Sequence, residues 1–228
     1  MHRKMLTQTL ASLAVAASLG ACVATSSAAI DPSLLPFYKP MVTQVPDRAT
    51  ATIATFRATD PVTVPPIVKL YGEVDPATGQ TLLGMNAELA RPAYPFGTGS
   101  GKPHFWLVPA AGNSISAIEF DKKGREADES GLTFKVSKTF EKYGHVEWWP
   151  PSSAKMPTEI RGIVPDSIKT FKIITKRRSK KPLTKTYKVR NNAIMLDLKK
   201  PTYIVLGGKR FKIQPSKGAG YFTGEYLK

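Results

Sequence analysis

The chain has 228 residues, of which 33 are Lys or Arg and 17 are Asp or Glu, for a formal charge of +16 at neutral pH. Its single cysteine excludes an internal disulfide, and 42% hydrophobic residues supply core material for one large domain or two small ones. Nineteen prolines and seventeen glycines favour strands and turns over long helices.

Arg3 and Lys4 precede an uncharged run, Leu10 to Leu19, of signal-peptide length and well short of a bilayer span. No transmembrane helix is expected. The run ends in Leu19-Gly20-Ala21-Cys22, which resembles the lipobox of bacterial lipoproteins, although glycine is a less usual choice at the second position. The resemblance implies that the Cys22 thiol receives a diacylglyceryl group and that residues 1–21 are then removed as a signal peptide. Several acyl chains anchor firmly, because each buried methylene is worth about 0.8 kcal/mol. The alternative is an ordinary signal cut after Ala28, where Ser26 and Ala28 supply small residues, and a secreted soluble product. Either way the expected location is extracytoplasmic, with membrane anchoring through lipid favoured.

Residues 22–48 read as a tether, small and polar at first and then punctuated by proline; Leu34, Leu35, Phe37 and Tyr38 are apolar enough to dock on the body. Residues 49–159 read as a β-rich region. Thr50 to Arg57 and, more strongly, Ile67 to Val74 are expected strands, followed by a turn at Asp75 to Gly79. Leu82 to Arg91 fits a returning strand or a short helix, and Ala93 to Lys102 a Pro/Gly loop. His104 to Val108, Ser114 to Phe120, Leu132 to Val136 and His145 to Trp149 are further expected strands, with a turn at Lys122 to Arg125.

Residues 160–228 carry eighteen Lys or Arg against only Asp166, Asp197 and Glu225, whereas residues 22–159 carry thirteen against fourteen acids. Nearly all of the net charge therefore belongs to the last third. Ile168 to Thr175 and Leu183 to Arg190 flank the polar stretch Lys176 to Pro182, the pattern of a hairpin with a charged tip. Alternation places Leu183, Tyr187 and Val189 on one face of the second arm, and Thr184, Thr186, Lys188 and Arg190 on the other. Ala193 to Leu198, Thr202 to Leu206 and Arg210 to Ile213 add three short strands. The fold class is all-β with at most one short helix: a β-sandwich or partly open barrel, with a basic sandwich-like module at 160–228.

The segments Trp106-Leu107-Val108-Pro109, Gly162-Ile163-Val164-Pro165-Asp166 and Val189-Arg190-Asn191-Asn192 resemble a pattern in secreted bacterial proteins without assigned activity. In that group a WLVP strand precedes a β-module opening with G-x-VPD-G-V. The resemblance spans roughly residues 103–206 and implies a β fold in an extracytoplasmic setting; it transfers no catalytic residue. Ser167 stands where glycine is usual, the cysteines often present between the motifs are missing, and lysine is in excess.

Signals of chemistry are sparse. Gly97 to Lys102 lacks the spacing of a phosphate loop, which would need glycine at Phe96 and a hydroxyl at Pro103. No serine sits in a nucleophile-elbow context. His145 and Glu147 share a strand face and supply two metal ligands where three or four are needed; His104 is remote in sequence, and partly exposed strand positions account for both histidines. Trp149 falls on the same polar face and is a stacking candidate, against the simpler reading that a loop covers it. Neither a metal nor a cofactor is expected.

The best binding candidate is the hairpin tip Lys176, Arg177, Arg178, Lys180 and Lys181, extended by Lys209, Arg210 and Lys212. Without interleaved aromatics for base stacking, nucleic acid is a poor fit. Anionic envelope polymers or lipid headgroups are the expected partners, and the expected role is electrostatic attachment rather than catalysis. Two other classes stand beside it: an envelope-polymer hydrolase using His145 and Glu147, and a structural partner in a surface complex. Oligomeric state is left open.

Overall fold

In the computed structural model, residues 36–94, 104–120, 126–149, 158–177, 180–199, 201–213 and 220–222 are described, with only the backbone for 126–131, 149 and 220–222. The signal segment, Cys22, Leu34 and Leu35, most of the Pro/Gly loop, the turn at 122–125 and Arg178 lie outside them. The amino-terminal part runs β1 (Tyr38–Lys39), α1 (Asp47–Thr52), a 3-10 turn at Ala54–Arg57, α2 (Pro66–Leu70), β2 (Thr81–Leu82) and a 3-10 turn at Ala87–Leu89. Four strands follow: β3 (Arg91–Ala93), β4 (Phe105–Ala110), β5 (Ser114–Phe120) and β6 (Glu126–Lys135). After α3 (Lys138–Tyr143) come β7 (His145–Trp149), β8 (Thr158–Ile163), β9 (Thr170–Arg177), β10 (Lys180–Lys188), β11 (Ala193–Leu198), β12 (Tyr203–Leu206), β13 (Lys209–Lys212) and β14 (Gly220–Phe222). The protein is all-β and sandwich-like, and no closed barrel forms among the described residues.

Apart from the short β1–β2 pair, the strands form three antiparallel sheets in the orders β3-β4-β5-β6, β11-β8-β7-β14 and β10-β9-β12-β13. The first is covered on both faces. Phe105, Leu107, Ile115, Ala117 and Phe134 pack with Ala49, Ile53, Phe56 and Phe140, while Trp106, Val108, Ala110, Ile118 and Phe120 pack with Val64, Val68 and Met85. That double burial is why β4 reads as an unbroken apolar run instead of alternating. The second sheet is a middle layer. Its Val146, Trp148, Ile160 and Ile194 face Phe171, Ile173, Ile204 and Phe211 of the third sheet, and Ile163 and Ala193 on its other side join the core of the first. Because β7 pairs with β8, this sheet joins the segments on either side of residue 160.

Two expected strands are helical instead. Ala49, Ile53 and Phe56 are buried at spacings of four and three, which is a helical stripe, and Thr50–Arg57 forms the end of α1 and the 3-10 turn. Ile67–Val74 opens with α2, where Pro66 occupies the first turn and Val68 alone is fully buried. The turn at Asp75 to Gly79 forms as expected: the Thr78 N–H donates to Asp75 Oδ2 at 2.8 Å, and Gly79 has φ +67°. Leu82–Arg91 combines β2 with a 3-10 turn capped by Asn86, whose Oδ1 accepts the Glu88 N–H at 3.0 Å.

Two tight turns set the register of the carboxy-terminal strands. Gly207 and Gly208, at φ +52° and +79°, join β12 to β13, and Asn191 and Asn192, at +46° and +62°, join the bridged pair Arg190 and Ala193. Both loops have two residues with positive φ, the geometry that matches strand twist. Gly207 has a second constraint, since a Cβ there would lie 2.2 Å from the Lys142 carbonyl oxygen.

Asp166 and Asn192, from the motif segments, form a joint between the middle sheet and the α1 region. Asp166 Oδ1 accepts from the Ala54 N–H and from Asn192 Nδ2, each at 2.8 Å, and its Oδ2 takes Arg57. Asn192 Nδ2 also donates to the Val164 carbonyl at 3.0 Å. Burial alone would raise the Asp166 carboxyl, but these donors outweigh it and hold it below its ordinary range. The VPD and Asn-Asn segments are thus a structural clamp.

Candidate functional site

The four strands of the third sheet carry ten Lys or Arg and no Asp or Glu. Alternation sorts them. Phe171, Ile173, Ile204 and Phe211 turn inward to the core, so Lys172, Ile174 and Lys176 of β9 turn outward, as do Thr184, Thr186 and Lys188 of β10. The register completes two rows across the sheet: Thr186, Lys172, Val205 and Arg210 in one, Thr184, Ile174, Tyr203 and Lys212 in the next. The outer face is therefore an array of cations and threonine hydroxyls around half-buried Ile174, Tyr203 and Val205, with no carboxylate from its own strands.

All but one of the expected binding residues have a place relative to this array. Lys176, Arg210 and Lys212 lie on it. Arg177, Lys180 and Lys181 are exposed at the turn end of the β9–β10 hairpin, beside a bulge between Lys180 and Leu183 that accommodates Pro182 on an edge strand. Arg178 is outside the described residues. Lys209 has the opposite alternation: its ammonium sits 5.4 Å from the Tyr143 ring centroid and 5.6 Å from that of Phe211, at the sheet's side. Lys172 and Lys188 belong to the face although tip clustering does not select them; the period-two pattern through Phe171 and Ile173 does.

Arg210 is held in a particular way. Its guanidinium carbon stands 5.2 Å from the Tyr203 ring centroid, a cation–π contact that holds the group against the ring without consuming its N–H donors. Such an array attracts anions over roughly a Debye length, about 8 Å at physiological salt.

His145 and Glu147 occupy a different environment from the one expected. They are not partly exposed: His145 is 4% and Glu147 5% accessible, because the middle sheet is covered on this side too, and His104 beside β4 is 0% accessible. His145 Nε2 and Glu147 Oε1 pair with each other at 2.8 Å, and the imidazole stacks on Phe134 with centroids 5.1 Å apart. Opposite Glu147 in register lies Arg161, which donates to Glu119 Oε2 of β5 at 2.6 Å and also bonds Glu159. Burial pushes the Glu119 carboxyl up to about 7, against the pull of Arg161. This is an interlayer charge network closed to a polymer substrate. Alternation assigns His104 to the Trp106 side of the first sheet, away from His145, and no group of three or more His, Cys, Asp or Glu that could hold a metal occurs among the described residues. The Trp149 side chain lies outside them.

None of the helices among the described residues is long and apolar enough to cross a membrane. Comparison of the chain with protein-family models, with curated proteins and with solved structures returns no match.

Proposed function

We propose that this is an extracytoplasmic protein, held at a membrane by lipid on Cys22, that attaches to anionic cell-envelope material through the outer face of its carboxy-terminal sheet. One observation carries the reading: alternation and register gather Lys172, Lys176, Lys188, Arg210 and Lys212 on a single exposed face whose strands contain no acid. Cations spread in all directions would serve solubility alone; cations on one plane create a directed field. The lipid anchor rests on the LGAC segment; the tether is shorter than 22–48, because Tyr38–Lys39 pair with β2, but residues 22–35 still separate Cys22 from the described body.

The test is adsorption of the intact protein to isolated anionic envelope fragments across ionic strength. Binding should fall steeply between about 50 and about 500 mM NaCl, because exposed charges are screened over that range. Replacing Lys172, Lys176, Arg210 and Lys212 together by Gln should weaken it more than tenfold, given roughly 1 kcal/mol for each basic residue near an anionic surface. The same change at the exposed residues Lys39 and Lys69 should have little effect. Adsorption indifferent to salt, or lost equally in both variants, would refute the reading.

A further inference from the structure

Resting on the reading that this face binds an anion, we infer that its occupant is a linear phosphodiester polymer and that Arg210, braced on Tyr203, is the residue that recognises the phosphate. The brace is geometric. Register sets Arg210 opposite Val205 and Lys212 opposite Tyr203, so Arg210 reaches diagonally to the ring at 5.2 Å. A guanidinium held against a ring can present two parallel N–H donors to two phosphate oxygens, a match that an ammonium cannot reproduce.

The neighbouring cations form a line. Lys172 shares a row with Arg210 across β12, and Lys188 lies on β10 one outward position beyond Thr186, the partner of Lys172. With strands about 4.8 Å apart and a rise of about 3.4 Å per residue, Arg210, Lys172 and Lys188 mark a bent line, first along the row and then oblique to it, in steps of about 8 to 10 Å. Flexible lysine stems bring such a line onto successive charges of an extended chain, and the exposed Thr184 and Thr186 offer hydroxyls to the alcohol groups between phosphates. A bilayer fits less well. Surfaces that seek the lipid interface present bulky apolar side chains to it, whereas among the described residues the exposed large hydrophobics Phe37, Met41, Leu70 and Val74 all belong to the amino-terminal region.

The experiment measures binding of the intact protein to poly(glycerol phosphate) chains and to vesicles of equal parts phosphatidylglycerol and phosphatidylcholine. The variants are Arg210→Lys, Tyr203→Leu and Lys185→Gln, with urea midpoints checked for each. Lys185 is exposed but has the opposite alternation, opposite Ile173. The polymer should bind more tightly than the vesicles; Arg210→Lys and Tyr203→Leu should each weaken it about tenfold and Lys185→Gln less than twofold. Salt-sensitive binding that is unchanged by Arg210→Lys, or equally weakened by Lys185→Gln, overturns the phosphate assignment while leaving the charged face intact. Vesicles bound as tightly as polymer overturn it too. Absence of any salt-sensitive binding by the unaltered protein overturns the reading of the face itself.

Discussion

Replacing Glu119 by Gln removes one titrating proton from the seam between the first and middle sheets and should change how stability responds to pH. In the folded protein, burial raises this carboxyl from 4.5 to about 7. Between those two values the unfolded chain releases a proton that the folded chain retains. The stabilising contribution is therefore complete below about pH 4.5 and is lost as the pH climbs through 7. At about 1.4 kcal/mol for each tenfold change in proton activity, the loss across the window is about 3 kcal/mol. Glutamine keeps an oxygen that can accept from Arg161, but it has no proton to lose. Urea unfolding followed by tryptophan fluorescence at several pH values from about 4.5 to about 8 should find the variant gaining about 3 kcal/mol relative to the parent as pH rises. A difference that is flat with pH, or that moves the other way, would refute the buried placement of Glu119 and its raised ionisation.

Other consequences follow from the same packing. Arg161→Met should destabilise the fold by about 3 to 5 kcal/mol in urea titrations, because it leaves Glu119 and Glu159 without their cation. Asp166→Ala should cost about 1 to 2 kcal/mol in the same assay by stranding the Ala54 N–H and the Asn192 amide. Since the Asp166 carboxyl is held below its ordinary value, that contribution should be present above about pH 3.8 and disappear as the pH falls further. Gly207→Ala should lower the melting temperature much more than Gly208→Ala: both positions have positive φ, but only the first also meets a backbone oxygen, while nothing lies within 4 Å of a Cβ at Gly208. Mass spectrometry of the mature protein should find a diacylated amino-terminal Cys22, and Cys22→Ser should move the protein from the detergent phase to the aqueous phase.

The strands were readable in the sequence wherever one face is wet or a turn residue marks an end. β5, β7 and β11 coincide with the expected runs, and the β9–β10 hairpin has the expected sidedness of Leu183 and Tyr187. The expected strands at Thr50–Arg57 and Ile67–Val74 fail for a common reason. Both are short and apolar, and a run of that length satisfies either period; the spacing of Ala49, Ile53 and Phe56 and the position of Pro66 are the signals that separate helix from strand. The histidines were misplaced by a different effect. Alternation of Val146 and Trp148 with His145 and Glu147 reads as core against solvent, yet both faces of β7 are covered, so the polar residues meet another layer instead of water. Pairing between distant strands, such as Arg161 with Glu119, has no local trace. The outward lysines of β9 do, since they follow directly from the inward positions of Phe171 and Ile173.

β7 acquires its two neighbours on very different terms. β8 begins nine residues after β7 ends, whereas β14, on the opposite flank, arrives only at residues 220–222. Closing the longer loop costs more chain entropy, so this flank is expected to assemble late. A nick or truncation upstream of Gly220 would leave β7 with bare amide and carbonyl groups, a template onto which a second molecule could add a strand. The integrity of a three-residue segment thus guards the protein against sticking to itself.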